Sequence, residues 1–584
     1  MTPLTQGFTV SDYLIVRLHQ AGLRELFTVP GDYVARWFDY IDDKSRNPVS
    51  LDRLGCRSEL EAGYAADAYA RLKGIGCAAV TYGVGGFSLI NAVAGSYVER
   101  LPVIAISGSP GAGDAERPFA KKYKITLHHA TGNYQAECDA YRDVTALAEV
   151  VSDAKSAPAQ IDEAIALALA YKRPVYLEIW RNLWDAECAK PVGDLPVVEL
   201  PADPDAVKEA VADAAALIRA ARKPMLWAGI ELQRFGLQDA FATLRKTAGL
   251  PYVTSLLAKS VLAETTEGFV GTYTGPSSDY STYQAVGQAD LLFVAGDLIT
   301  DDYEGIVKQD FTRMIVAYDN DVRIGRATYE NVPLKQFLAG VEEALRGRPA
   351  RRPWAKKGPA VIDPDTAEFP KDAVTYSRFF RRVMKWATPD MILVPDESSS
   401  MYVSCNIPVN HANGFVSQAA WGSIGYASPA GFGLSVADPS RRPVVFAGDG
   451  GFHMVAQTVS SMAHYRRNPI VFVMENGIYG IEQALTNPKT YTDGQPFEAF
   501  NVLPRWDYAA FAKSVGAKGV KVETLRQLDR AMREAAADRD HAWVVQVVLP
   551  ERNIPAEILR LATNDPPAPP AKAAAAAAKA KVDA

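Results

Sequence analysis

The chain has 584 residues, 48% hydrophobic and 22% charged, an ordinary globular composition with room for about three or four domains. Its net charge of −6, with lysines and arginines scattered, removes the electrostatic case for nucleic acid, and it has no run of about 18 or more apolar residues to span a membrane. The cysteines Cys56, Cys77, Cys138, Cys188 and Cys405 lie far apart without metal-type spacing, as expected of reduced thiols in a cytoplasmic protein.

In chain order, the opening "MTPLTQGFTVSDYLIVRLHQ" lacks the charged start and clean apolar core of a signal peptide. "TVPGDY" sets Asp32 directly after a Pro-Gly turn, and "RSELEAGYAADAYARLKG" reads as an amphipathic helix that begins at Glu59. Strand-like runs such as "CAAVTYG", "LPVIAIS", "KPMLWAG", "ADLLFVAG", "RMIVAYD", "RPVVFAG" and "NPIVFVM" then alternate with helical patterns. Short apolar runs between amphipathic helices predict α/β folding, with doubly wound parallel sheets covered on both faces. Proline-rich breaks at 189–206 and 346–372 divide the chain into domains at 1–190, 191–357 and 370–553. The remainder, 554–584, ends in "NDPPAPPAKAAAAAAKAKVDA" and is expected to be a largely disordered low-complexity tail.

An internal echo links the first and third domains. "TYGVGGFSLINAVAGSYVERLPVIAISG" and "FAGDGGFHMVAQTVSSMAHYRRNPIVFVMENG" both read strand, G-x-G-G-F, helix, Arg-x-Pro, strand. This predicts two domains of one topology, although convergence on a strand–glycine–helix pattern gives the same text. The copies differ where chemistry matters: the first has Val84 and the third has Asp449. Asn476 follows the next strand of the third copy, so two neighbouring strand ends would aim two hard oxygens at one point. Gly450 and Gly451 allow backbone N–H groups to approach a phosphate. A few protein oxygens plus phosphate oxygens suit Mg²⁺; alternatively Asp449 simply caps the helix that follows.

Taken together, "TVPGDY", "RSELEAGYAADAYARLKG", "GSYVERLPVIAISGSPG", "LHHATGN", "SQAAWGSIGY", GDG…N and "YGIEQ" resemble the thiamine diphosphate (ThDP)-dependent 2-oxo acid decarboxylases of the pyruvate and indolepyruvate type. The resemblance implies pyrimidine-binding, central and diphosphate-binding domains. It also implies a homodimer or homotetramer with each cofactor between two chains. It places Glu59 beside the cofactor pyrimidine, where a carboxyl group favours the imino form that deprotonates the thiazolium to an ylid. The residues alone make Glu59 a capping or surface acid equally well. Gly422 would accept from the pyrimidine amine, and Ile424 would be the wedge that folds the cofactor; a buried apolar turn is the plain alternative. Asp32, His128, His129 and Glu482 match the proton-handling set. Asp449, Asn476 and the Ile478 carbonyl match the Mg²⁺ ligands, and Gly450, Gly451, Ile481 and Ser400 match positions around the diphosphate or substrate. Glu475 departs from the usual Asn, and Ile478 from a common glycine.

The implied activity is non-oxidative decarboxylation of a 2-oxo acid to an aldehyde and CO₂. Tyr402 and Leu485 fall near pocket-lining positions, and Ala484 leaves space. The substrate thus stays open among pyruvate, aromatic and branched 2-oxo acids. Two rivals share parts of the pattern: a carboligase of the acetolactate synthase type, and a fold that keeps the cofactor without turnover.

Overall fold

The short apolar runs assemble into three sheets in the computed structural model, which describes residues 4–569 apart from 48, 116–125, 304, 307–310 and 348–350. The first sheet has strands β1 (Glu25–Thr28), β2 (Asp52–Gly55), β3 (Gly76–Thr81), β4 (Val103–Ser109), β5 (Leu147–Val151) and β6 (Val175–Trp180). They are all parallel, in the order β2-β1-β3-β4-β6-β5. The second has β7 (Pro224–Ala228), β8 (Tyr252–Thr254), β9 (Phe269–Thr272), β10 (Leu291–Ala295), β11 (Met314–Tyr318), β12 (Asp321–Ile324) and β13 (Ala327–Tyr329). The third has β14 (Met391–Pro395), β15 (Arg442–Gly448), β16 (Ile470–Glu475), β17 (Lys518–Val522) and β18 (Trp543–Val548), parallel in the order β14-β15-β16-β18-β17.

The order β1-β3-β4-β6-β5 repeats as β14-β15-β16-β18-β17, so the echo in the sequence is a repeat of topology, with β2 added at one edge of the first copy. The copies diverge after the glycines. The first continues as one helix, Val84–Val98, whereas the third breaks into Asp449–Val455 and Thr458–His464.

The central sheet qualifies the parallel-sheet expectation at one edge. Its β12 and β13 run antiparallel at one edge, in the order β13-β12-β11-β10-β7-β8-β9. Asp319 and Asn320 join β11 to β12 with φ of 54° and 66°. Two consecutive positive φ values match the right-handed strand twist of a tight hairpin, and Asp and Asn tolerate them best among side-chain-bearing residues.

The first and third domains pack through the helices Glu59–Lys73 and Ala427–Ala437. A Cβ on Gly433 would lie 2.2 Å from the Ala65 carbonyl oxygen, so only glycine allows this approach. Tyr426 donates to Asp67 at 2.7 Å and Tyr64 to Ser423 at 2.6 Å across the seam. The first domain meets the second through Arg100, which is 1% exposed and pairs with Glu231 at 2.8 Å and Asp319 at 2.5 Å.

The tail expectation also needs correction. Residues 556–563 form a helix, Ala556–Thr563, because "AEILRLAT" supplies Ile558 and Leu559 to bury against the third core. It packs on the helix Gly480–Thr486, and Arg560 ties it to Asp363 at 2.7 Å. Residues 570–584 lie outside the described residues. Among the described residues no helix is long and apolar enough to cross a membrane.

Candidate active site

Three adjacent strands of the third sheet end at one place. Asp396 and Glu397 follow β14, Asp449 follows β15 and Asn476 follows β16. The C-terminal edge of a parallel sheet is where an α/β fold leaves a crevice for ligands. Here the crevice is a half-open cavity, about 540 Å³ with its solvent-filled mouth included, lined by Glu397, Asp449, Gly450, Gly451 and Asn476 and by Ile424, Ile478, Ile481 and Glu482.

Asp449 is 2% exposed. Its carboxylate accepts from the Gly477 N–H at 2.7 Å and the Gly450 N–H at 3.1 Å. Burial pushes its acid up to about 6, and the nearby Glu475 charge adds to the rise. Among the described residues no cation pairs with it. Asn476 turns its Oδ1 onto the Ile478 N–H at 3.2 Å, beside Gly477 with φ of 74°. Glu475 neither faces solvent nor enters the cavity. Gln546 donates to it at 2.7 Å and Arg505 pairs with it at 3.3 Å.

These residues fit a magnesium diphosphate. A buried carboxylate without a counter-charge is relieved by a cation. No group of three or more His, Cys, Asp or Glu side chains forms a cage among the described residues, so phosphate oxygens would complete the shell of a hard cation. The two glycines are fixed by their close neighbours. A Cβ on Gly450 would lie 2.2 Å from a Tyr479 ring carbon, and one on Gly451 2.2 Å from Asp396 Oδ2.

Asp396 is a functional residue that motif reading missed. It is 1% exposed and accepts from the Gly425 N–H at 2.9 Å and the Ala427 N–H at 3.1 Å. It therefore pins the turn that carries Ile424 into the cavity. Gly422 and Gly425 take φ of 67° and 92° in that turn. The missed signal was available: Asp396 and Glu397 end an apolar strand, as Asp449 does.

Several expected pocket residues lie away from the cavity wall. Ser400 is fully buried with an unpartnered hydroxyl and does not line the cavity, whereas Ser398 and Ser399 do. Gly422 is also outside the lining, and its missing Cβ would sit 3.9 Å from the Glu397 carboxyl. Ala484 is fully buried in the third core and makes no room for substrate, because its helix turns that face inward. Tyr402 is buried, with its hydroxyl 3.4 Å from Asp302 of the central domain. Leu485 is exposed.

Two of the remaining expected residues, His128 and His129, pack against Tyr82 on the first domain. The Tyr82 ring meets His129 edge-on at 5.9 Å, and its hydroxyl donates to the His128 carbonyl. The His128 and His129 rings lie 6.4 Å apart. The Asp32 charge, the Tyr33 hydroxyl and above all burial raise the Tyr82 phenol. A Cβ on Gly83 would lie 2.2 Å from the His129 carbonyl oxygen, which explains the glycine. Glu59 opens its helix after the Ser58 cap and is half-buried. None of Asp32, Glu59, His128 and His129 lines the cavity, whereas Glu482 is exposed at its mouth. One chain thus carries two separate groups of expected site residues. Val84 on the first domain and Met454 and Leu485 near the cavity are 55%, 51% and 49% exposed.

Comparison with known proteins gives the same outline. Residues 8–141 match the N-terminal TPP binding domain of thiamine pyrophosphate enzymes, 211–345 the central domain, and 398–547 the C-terminal TPP binding domain. The fold and the cavity are those of a thiamine pyrophosphate enzyme. An alpha-keto-acid decarboxylase of Mycolicibacterium paratuberculosis is 30% identical, covering 95% of this chain and 96% of the relative. An indole-3-pyruvate decarboxylase of Azospirillum brasilense is 28% identical, covering 93% and 95%. A crystal structure of benzoylformate decarboxylase from Polynucleobacter necessarius shares the fold, with a TM-score of 0.73 at 18% identity, covering 94% of this chain and 100% of that one. The chain belongs to the thiamine diphosphate-dependent 2-oxo acid decarboxylase family.

Proposed function

We propose that the protein releases CO₂ from pyruvate or from an aromatic or branched 2-oxo acid and frees the corresponding aldehyde. The observation that carries this reading is Glu482 at the mouth of the cavity that Asp449 and Asn476 share. Asp32, His128 and His129 gather around Tyr82 in the other group. Binding a cofactor needs none of these proton-handling groups; protonating a carbanion and releasing an aldehyde does.

In this reading the Asp449 and Asn476 side chains and the Ile478 carbonyl would hold Mg²⁺, and Gly450 and Gly451 would face the diphosphate. Ile424 would press on the bound cofactor, and the Gly422 carbonyl would be its hydrogen-bond acceptor. Bound thiamine diphosphate supplies the electron sink that makes CO₂ a leaving group. A second copy of the chain brings Glu59, Asp32, His128 and His129 to the cavity. The separation of the two groups and the exposed Val84, Met454 and Leu485 support such a dimer.

The test is CO₂ release with product analysis on pyruvate, phenylpyruvate, indolepyruvate and 3-methyl-2-oxobutanoate, with thiamine diphosphate and Mg²⁺ present. Aldehyde as the main product from at least one acid is expected. Acyloin as the main product, or no CO₂ from any of the four, overturns the reading.

A further inference from the structure

Glu397 has no role in the preceding reading, yet it lines the cavity. It directly follows Asp396 at the end of β14 and lines the same space as Asp449, Asn476, Ile424 and Glu482. Its carboxyl group lies near the turn at Gly422. Among the described residues it forms no hydrogen bond and no ion pair, so it is not a structural brace. The cavity that must take a 2-oxo acid, itself an anion, has no lysine or arginine among its described lining residues. Hydrogen-bond donors have to do the work that a cation does elsewhere.

An ionised Glu397 would repel such a substrate, but its surroundings oppose ionisation. Burial drives its acid well above the ordinary carboxylate range, and the charges of Asp302, Asp396, Glu99 and Glu482 add to the rise. Asp302 comes from the central domain, on the turn Asp301–Tyr303, and reaches toward Tyr402 of the third. Tyr402 is the other titratable neighbour that responds to Glu397, and burial raises its phenol too. A carboxylic acid that keeps its proton is a donor as well as an acceptor, and its hydrogen bond to a carboxylate is charge-assisted.

We propose that Glu397 is a further substrate-binding residue, which donates a hydrogen bond from its carboxylic acid to the carboxylate of the bound 2-oxo acid. The inference rests on the decarboxylase reading and extends it: the cavity wall of this chain, which has no lysine or arginine among its described lining residues, holds the anionic substrate through a shared proton. Asp302 is a positioning residue in this scheme, because its charge keeps the Glu397 proton in place.

Steady-state kinetics of the holoenzyme on phenylpyruvate, or on whichever of the four acids is turned over best, test the assignment. Glu397→Ala is expected to raise KM about tenfold and to lower kcat less, the loss of one charge-assisted hydrogen bond. Glu397→Gln keeps an N–H donor and is expected to hold KM within about threefold of wild type. Wild-type kcat/KM should fall at high pH as Glu397 ionises, and Glu397→Gln should lack that fall. Asp302→Asn removes a negative neighbour, so Glu397 should ionise more easily and the fall should begin at lower pH. An unchanged KM in Glu397→Ala overturns the proposal. So does an equal loss in Glu397→Gln and Glu397→Ala, or a fall at high pH that persists in Glu397→Gln. If wild type releases CO₂ and these outcomes fail, only the role of Glu397 is refuted. If wild type releases none, the decarboxylase reading fails with it.

Discussion

Replacing Asp396 by Asn separates what the site needs from what the fold needs. The carboxylate accepts from two backbone N–H groups, those of Gly425 and Ala427, and these fix the turn around Ile424. Asp396 Oδ1 lies 3.1 Å from both N–H groups, so an Asn carbonyl oxygen in its place keeps both, while the amide NH₂ takes the Oδ2 position beside the Gly425 N–H and finds no acceptor there. A buried donor left without a partner costs about 1–3 kcal/mol. Against this, burial pushes the Asp396 acid from an ordinary 3.8 up to about 6. That corresponds to about 3 kcal/mol held against the ionised form at neutral pH. A folded-state acid raised in this way causes no loss below the ordinary value. Stability falls as pH rises between the two values, and the full loss is present above about 6. Asp396→Asn removes that loss while it loses one hydrogen-bond partner, so the two effects nearly cancel at pH 7. Denaturant unfolding of the apoprotein should therefore change by no more than about 2 kcal/mol. The turn carrying Ile424 is expected to shift, and about 10²-fold of kcat/KM is expected to go with it, as for a misplacement of about 1 Å near reacting groups. CO₂ release and thiamine diphosphate affinity measured beside the unfolding curve decide the matter. Wild-type kcat/KM with two intact N–H contacts, or a loss of activity fully explained by unfolding, refutes the reasoning.

Asp449→Ala should leave thiamine diphosphate retention weak and insensitive to Mg²⁺, measured by cofactor release after EDTA dialysis; wild-type retention contradicts the metal assignment. Glu59→Gln should preserve cofactor binding and unfolding but suppress exchange of the cofactor C2 proton by NMR, and unchanged exchange rules out the role. Arg100→Met leaves Glu231 buried without its cation and should destabilise the apoprotein by about 3–5 kcal/mol. The double variant with Glu231→Gln should recover much of that in denaturant unfolding. No recovery means that the pair does not act as a unit.

The alternation of short apolar runs and amphipathic helices determined the α/β class, because that periodicity is written residue by residue. The repeat was legible for the same reason, from glycines and a proline at matching separations. Asp449 and Asn476 were legible as partners because neighbouring parallel strands put their C-terminal ends together. The hairpin at Asp319 and Asn320 escaped, since an antiparallel edge depends on two backbone angles that "YDND" allows without demanding. Ser400, next to the lining residues Ser398 and Ser399, faces the interior and Ala484 faces the third core, because the direction a short helix presents is set by what packs on it. Glu397 carries no motif. Its chemistry comes from four carboxylates, three of them outside its own strand end and two from other domains, and such a field exists only once tertiary packing has excluded the water that would screen it.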